Sequence, residues 1–525
     1  MYLWCKHSGA RVMTNTRPDK NHTQALTLDS AKNMTISGQI CLREIWNFEI
    51  TKVSFASLPN GVTAEYNFAE TVIFNDGVPY PDILSLKKAI SVKKHYTQVI
   101  WLTFRLNKNV EKSNYIIPVK IKTLCRGAEA EHEAIINLNV YSTVLPDVKD
   151  QSMRHEYFYN PYIYFPYKGK SAPSTVPDNF FKFERYSSEW WDFFKKTLTA
   201  ANELRIETFY VPAILLLSDA GSKRIAYDKW ELNFELIDKV IEFALKNGSF
   251  SHIAIDALLN CATNNTVQAI DKSGNIINVN YTDEEASVWI KFIFSALHEH
   301  LKEKGWLAIT HAHLQDEPHQ KETWLWARQA AKKYMPNIRC GEPFDMESVA
   351  VDVEGECDIY IPRLDEYEKN AKFFKNRQKK GNELWCYSCC FPEEGWKLNK
   401  FIDLPHVYSR QLHWACFSQG ITGFLHWGFL FWYQENYGMF PDVRYKGDGY
   451  IVYPDVKNNA ILLSARAIAT RDGVQEYELL TLLAKKDKKS ALKISRSVAK
   501  MFSDFNKNED SVDKARKQIL ELLEN

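Results

Sequence analysis

Asp316 and Glu317 stand side by side at the end of the apolar segment Ile309-Thr310-His311-Ala312-His313-Leu314, and Pro318 follows them directly. Cleavage of a glycosidic bond needs two carboxyl groups close to one sugar carbon. One protonates the departing oxygen and the other manages positive charge at the anomeric centre. A parallel barrel presents such groups where its strands end, at the C-terminal mouth. Neighbouring strand residues normally point to opposite faces, so both carboxylates reach one pocket only if the chain leaves strand geometry there. Pro318, which has no N–H to give a ladder, is consistent with that. The plain alternatives for such a pair are a solvated turn or a salt bridge at a barrel rim.

Other residues in the chain carry chemistry of the same kind. His311-x-His313, with His319 nearby, has the look of a metal cluster. Barrel hydrolases that use such a pair usually carry it on the first strand, with further histidines on middle strands. Here it falls on the fourth, and the fifth and sixth strand ends carry no histidine. No metal or cofactor is therefore expected, and His313 is assigned to a sugar hydroxyl. The run Phe424 to Tyr433 is the densest aromatic stretch, and most of it reads as core. Trp427, at the end of a strand, can form the floor of a sugar pocket, with His426 beside it and Trp432 as a second aromatic candidate. Trp385 and Tyr387 alternate in step at another strand end. Asp448, Asp455 and Arg471 are placed in loops over the same mouth, with Asp448 the one assigned to substrate.

The elements that must position these groups follow from periodicity. Up to residue 147 the chain reads as strands at sandwich-like spacing, among them Val99 to Phe104, Tyr115 to Ile121 and Ile135 to Val140. Pro118 marks an edge strand in that reading. The expectation is an antiparallel β-sandwich over residues 1–147. From 148 to 525 strands and helices alternate: Arg154 to Asn160, Ile206 to Leu217, Phe250 to Asp256, Trp306 to Leu314, Ile338 to Gly341, Cys357 to Ile361, Glu383 to Ser388 and Gly423 to Trp427. About eight such units predict a closed (β/α)8 TIM-type barrel, followed by a helical tail whose face Ile494, Val498, Met501 and Phe502 packs on it. An open doubly wound sheet is the alternative, but no Gly-rich phosphate loop follows the first strand.

Bulk properties narrow the function classes. The 525 residues are enough for two domains. A formal charge of +1 gives no reason to expect nucleic acid or an anionic membrane as partner. Met1 to Asn21 has basic residues but no apolar core of a signal peptide. Ten cysteines in so long a chain do not make a disulfide framework. Cys386, Cys389 and Cys390 resemble half a zinc site without a second pair. The expectation is reduced thiols in a cytoplasmic protein.

Asp316-Glu317-Pro318, His426-Trp427-Gly428, the segment Gly447 to Pro454 and the segment Arg471 to Glu478 together resemble family 123 glycoside hydrolases. From the residues alone, Arg466 to Glu478 is only a helix carrying a charged turn. The resemblance covers nearly the whole chain. It implies an exo-acting, retaining β-N-acetylgalactosaminidase in which the sugar's own 2-acetamido oxygen attacks the anomeric carbon and forms an oxazolinium. In that scheme Asp316 orients the acetamido group, Glu317 is general acid and then base, and Tyr387 holds the acetamido carbonyl. The implied partner is a glycan or glycoconjugate ending in N-acetylgalactosamine. A β-hexosaminidase preferring N-acetylglucosamine, a glycosidase with a carboxylate nucleophile, and a non-catalytic carbohydrate-binding protein are the competing readings.

Overall fold

A computed structural model of the chain describes residues 1–74, 76–159, 161–164, 181, 183–259, 265–393, 395–432 and 445–525. Asn160, expected at the end of a strand, and Tyr433, expected in the aromatic run, lie outside the described residues.

The N-terminal part consists of two five-stranded sheets. The first takes Tyr2–His7, Thr35–Arg43, Thr97–Leu106, Val62–Ile73 and Pro79–Ser85 in that order; the second takes Ala25–Lys32, Ala128–Val144, Ser113–Cys125, Phe48–Phe55 and Ile90–Val92. Side chains of both sheets meet in one apolar core, with Ile100, Leu102 and Phe104 from one and Leu28, Ile117, Val119 and Leu138 from the other. The alternate residues Val99 and Trp101 point the other way, against Ala465 and Ile468. That two-sided burial explains the unbroken apolar run Val99-Ile100-Trp101-Leu102 within Thr97–Leu106.

Two expectations are corrected here. The sheets are not wholly antiparallel, because Ala25–Lys32 runs parallel to Ala128–Val144. At Asn33, which holds a left-handed φ of 58°, the chain passes to the other sheet instead of turning back in its own. Nor is Pro118 on an edge: Ser113–Cys125 is the middle strand of its sheet. The Pro118 carbonyl accepts from Ala56 N, just past the end of the neighbouring strand, so the missing N–H faces a place where the ladder has stopped.

The second part is a closed barrel of eight parallel strands in sequence order: Arg154–Tyr157, Thr208–Val211, His252–Ile255, Thr310–Ala312, Arg339–Phe344, Ile359–Pro362, Glu383–Ser388 and Gly423–His426, the last pairing with the first. All eight overlap segments read as strands from sequence; Glu383–Ser388 matches its segment, and the others differ at one or both ends. The second is cut short by Pro212, after which Ala213–Asp219, rich in leucine, is helical. The fourth begins with a 3-10 turn, Leu307–Ile309. The fifth runs on to Phe344 through Glu342 and Pro343.

A long helical segment, Ala465–Val498, kinked at Asp487, joins the two parts. Arg466 Nε donates to Asp82 at 3.0 Å, Arg471 Nη2 to Ser37 Oγ at 2.9 Å, and the Gln475 amide bridges the Thr35 backbone with two 2.8 Å bonds. Toward the barrel, Glu478 accepts from Ser152 N and Met153 N, and Glu476 is buried against Arg410, Trp414 and Arg516. The segment Arg466 to Glu478 is therefore a continuous helical staple, with no turn at Arg471-Asp472-Gly473, and Arg471 is not over the barrel mouth. Gly473 sits where a Cβ would lie 2.5 Å from both Arg410 O and His413 Nδ1 of the helix His406–Gln419. Helix propensity alone favours alanine there, but overpacking wins. Gly473→Ala is expected to cost about 1–3 kcal/mol, seen as a lower urea midpoint at unchanged m-value.

Candidate active site

The C-terminal mouth of the barrel holds a cavity of about 400 Å³ lined by residues that include Asp316, Glu317, Tyr387, Trp427 and Asp448. A larger cavity, about 600 Å³, lies between the sheets and the barrel, where Val148, Arg205 and Ser249 precede the first three strands. That is the N-terminal face, which serves stability in this fold.

Asp316 and Glu317 are adjacent and half-buried, and both line the one cavity. The departure from strand geometry is visible in the backbone: Glu317 has a φ of 46°. A left-handed residue other than glycine costs about 1–2 kcal/mol, and such strain clusters at functional sites. Glu342, buried beside Trp324, helps hold the chain in place. Its carboxyl accepts from Leu314 N at 3.0 Å, Gln315 N at 3.2 Å and Trp324 Nε1 at 2.6 Å, two of these just ahead of Asp316. Burial pushes the Glu342 carboxyl up to about 8 despite those donors.

Tyr387 Oη donates to Glu317 Oε1 at 2.5 Å. Burial raises the pKa of Glu317; the Tyr387 hydrogen bond pulls it down and nearby Asp345 pushes it up again, with a net upward shift. The shift is in the direction that favours the protonated form a general acid needs. On the opposite side, Trp427 Nε1 donates to Asp448 Oδ2 at 2.9 Å. Gly428 permits this approach, since a Cβ there would lie 2.4 Å from Asp448 O. Burial pushes the Asp448 carboxyl up to about 7, and its Oδ1 has no hydrogen-bond partner among the described residues.

Four residues assigned to substrate from sequence sit elsewhere. His313 is buried inside the barrel, with Nδ1 donating to Gly341 O at 2.8 Å and Nε2 to Glu156 Oε1 at 2.9 Å. Trp385 is buried below Tyr387, beside His311, with its Nε1 on Glu383. Trp432 is core, with Nε1 donating to Val452 O. His426 lies behind Asp448, its Nε2 3.7 Å from Asp448 Oδ1, and burial holds it neutral. Sequence reasoning missed Phe158, Asp345, Arg363 and the Cys389-Cys390-Phe391 wall. The first three each follow the last residue of a barrel strand, a rule that finds them once the strand ends are right.

Glu156, His311 and His313 bring one possible ligand atom each within 4.8 Å of one another. Two nitrogen ligands on one tetrahedral zinc lie about 3.3 Å apart. The 2.9 Å contact between Glu156 and His313 is instead a hydrogen-bonding distance, and Gly341 O occupies the other nitrogen of His313. Burial opposes charge on both, but each sustains the other: His313 is raised to about 9 and Glu156 lowered to about 2. The group is an ion pair sealed beneath the cavity.

The sequence profile described as glycoside hydrolase 123, catalytic domain, matches residues 179–483, more than half of the chain. The chain belongs to glycoside hydrolase family 123. It is thus a glycosidase, and the carboxyl-lined mouth of the barrel is where such chemistry is performed in this fold. Among solved structures, a family 123 glycoside hydrolase from Clostridium perfringens, described in work on glycolipid glycan hydrolysis, aligns with a TM-score of 0.75 at 14% identity, covering 99% of this chain and 98% of that one. The endo-beta-1,4-mannanase of Thermotoga petrophila aligns at 0.35 with 12% identity, covering 63% and 78%. An uncultured Clostridium sp. beta-glucuronidase aligns at 0.35 with 7% identity, covering 85% and 89%. No curated protein matches the family 123 chain in sequence.

Proposed function

We propose that this family 123 glycosidase is an exo-acting, retaining β-N-acetylgalactosaminidase that works by substrate assistance. The observation that carries the reading is the entry of two consecutive carboxyl groups, Asp316 and Glu317, into one cavity at the barrel mouth. In the proposed reaction the 2-acetamido oxygen attacks the anomeric carbon and forms an oxazolinium. Asp316 takes the acetamido N–H and stabilises its growing positive charge. Glu317 protonates the departing oxygen, then deprotonates the water that opens the ring. Tyr387, Trp427 and Asp448 surround the sugar, with Asp448 fixing the indole N–H of Trp427 and the Trp427 ring offering an apolar face. The N-terminal sheets are proposed as a β-sandwich scaffold stapled to the barrel by Ala465–Val498. The substrate is proposed to be a glycan ending in β-linked N-acetylgalactosamine, free or on a conjugate such as a glycolipid.

The test is release of nitrophenol from the β-N-acetylgalactosaminide, the β-N-acetylglucosaminide and the plain β-galactoside. Cleavage of the first, with the galactoside inert, is expected. Comparable cleavage of the galactoside would remove the acetamido group from the mechanism. A pH profile tests the acid. The Tyr387 hydroxyl lowers the pKa of Glu317, so in Tyr387→Phe the acid stays protonated to higher pH. The alkaline limb of kcat/KM is expected to move upward; an unmoved limb would mean another group sets it.

A further inference from the structure

Cys389 and Cys390 line the catalytic cavity beside Tyr387 and Asp448, and no step of the proposed reaction uses them. Their sulfurs are 4.0 Å apart. We propose that these two residues are a redox-active dithiol that closes to a vicinal disulfide under a peroxide, reopens under a thiol reductant, and in closing reshapes the catalytic cavity. The effect on turnover rests on the reading of this cavity as the active site; the formation of the bond does not.

The pair differs in access from the other close pair of sulfurs among the described residues. Cys386 and Cys416 approach more closely, at 3.5 Å, but both are fully buried between the seventh barrel strand and the helix His406–Gln419. A polar oxidant has no route to them. Cys390 is half-buried at the cavity wall, and Cys389 is 8% exposed behind it. The turn that carries them is held from below: the buried Asn399 side chain donates to Cys389 O at 3.0 Å and Pro392 O at 2.9 Å. Cys389 N donates to Phe391 O, and Phe391 N donates to Cys389 Sγ at 3.5 Å. The contact between the two sulfurs lowers the Cys390 thiol against burial and the charges of Asp448 and Glu317, and it raises that of Cys389 together with them.

The chemistry balances with one peroxide. The Cys390 thiolate attacks a peroxide oxygen; the O–O bond breaks, hydroxide leaves, and Cys390 becomes a sulfenic acid. The Cys389 sulfur then attacks the Cys390 sulfur; the S–O bond breaks, and the thiol proton leaves with the departing hydroxide as water. Two thiols are oxidised and the peroxide is reduced to water. Bond formation brings the sulfurs from 4.0 Å to about 2.05 Å. Cys389 Sγ must then leave Phe391 N, and the wall moves two residues from Tyr387, whose hydroxyl holds Glu317. A ring this small is strained, so a dithiol reductant reopens it.

The experiment treats the full chain with hydrogen peroxide and measures intact mass, a peptide map and kcat/KM. Activity is taken relative to the same protein kept in dithiothreitol, and Cys389→Ser and Cys390→Ser are run in parallel. Expected are loss of two hydrogen atoms mapped to Cys389–Cys390, a fall of about ten- to a hundredfold in kcat/KM, recovery in dithiothreitol, and no such loss in either variant. A crosslink at Cys386–Cys416, or oxygen gained on Cys390 with no crosslink, overturns the proposal. So does a mapped Cys389–Cys390 bond with unchanged kcat/KM. A protein inactive even when reduced, yet forming the mapped bond, counts against the functional reading and leaves the dithiol chemistry standing.

Discussion

Replacing Glu317 by glutamine is expected to lower kcat/KM by about two to four orders of magnitude while sugar binding stays measurable. The substitution keeps size and an oxygen able to accept from Tyr387 Oη, which donates to Glu317 Oε1 at 2.5 Å. It also leaves the positive φ of this position under a side chain of the same shape. What it removes is a proton that can be given up. The loss should therefore depend on the leaving group. Nitrophenol departs with little protonation, whereas a sugar hydroxyl needs it, so the deficit in the bond-breaking step should be larger for a natural disaccharide than for the aryl glycoside. Equal deficits would point to a role other than acid, and retained turnover would falsify the assignment of Glu317. Binding measured by calorimetry with N-acetylgalactosamine separates a dead catalyst from an unfolded one.

Glu156→Gln is expected to destabilise the fold by about 3–5 kcal/mol, the range for removing one partner of a buried ion pair. Glu156 and His313 are both essentially inaccessible, and glutamine leaves the imidazolium inside the barrel without its anion. The pH dependence identifies the pair. His313 is raised from 6.5 to about 9, so its stabilising contribution is whole below pH 6.5 and is lost as pH rises through about 9. Glu342, raised from 4.5 to about 8, adds a loss in the same direction, whole below pH 4.5 and gone above about 8. Glu156 is lowered from 4.5 to about 2, so its contribution is whole above pH 4.5 and lost as pH falls through about 2. The wild-type Tm should decline on the alkaline side across these windows, and the decline owed to His313 should vanish in Glu156→Gln. A variant with wild-type Tm and an unchanged alkaline slope would mean that the pair carries no net stability.

How much of this was legible beforehand differs from residue to residue. Most of the barrel strands were visible because they are short, largely apolar runs alternating with helices, a pattern a closed parallel sheet imposes on its chain, although the first, Arg154–Tyr157, is not apolar. Their ends were less so. Gly341-Glu342-Pro343 does not look like a strand interior, because the partners that make Glu342 tolerable come from Leu314, Gln315 and Trp324. The early end assigned to that strand concealed Asp345. Strand periodicity states which face a side chain takes, not its depth along the barrel axis. Trp385 and Tyr387 share a face, yet one packs on His311 and the other meets Glu317.

By itself, then, the sequence determined the order of sheet-rich part and barrel and the strand that delivers Asp316 and Glu317, since these depend on local periodicity and on which residue ends each run. Only the tertiary structure decided that the two carboxyls enter one cavity, that His313 is sealed in an ion pair with Glu156, and that Arg466 to Glu478 staples the sheets to the barrel. Each of these is a contact between groups far apart in the chain. Its energy depends on burial and on distances of a few ångströms, quantities that exist only after the chain has closed on itself.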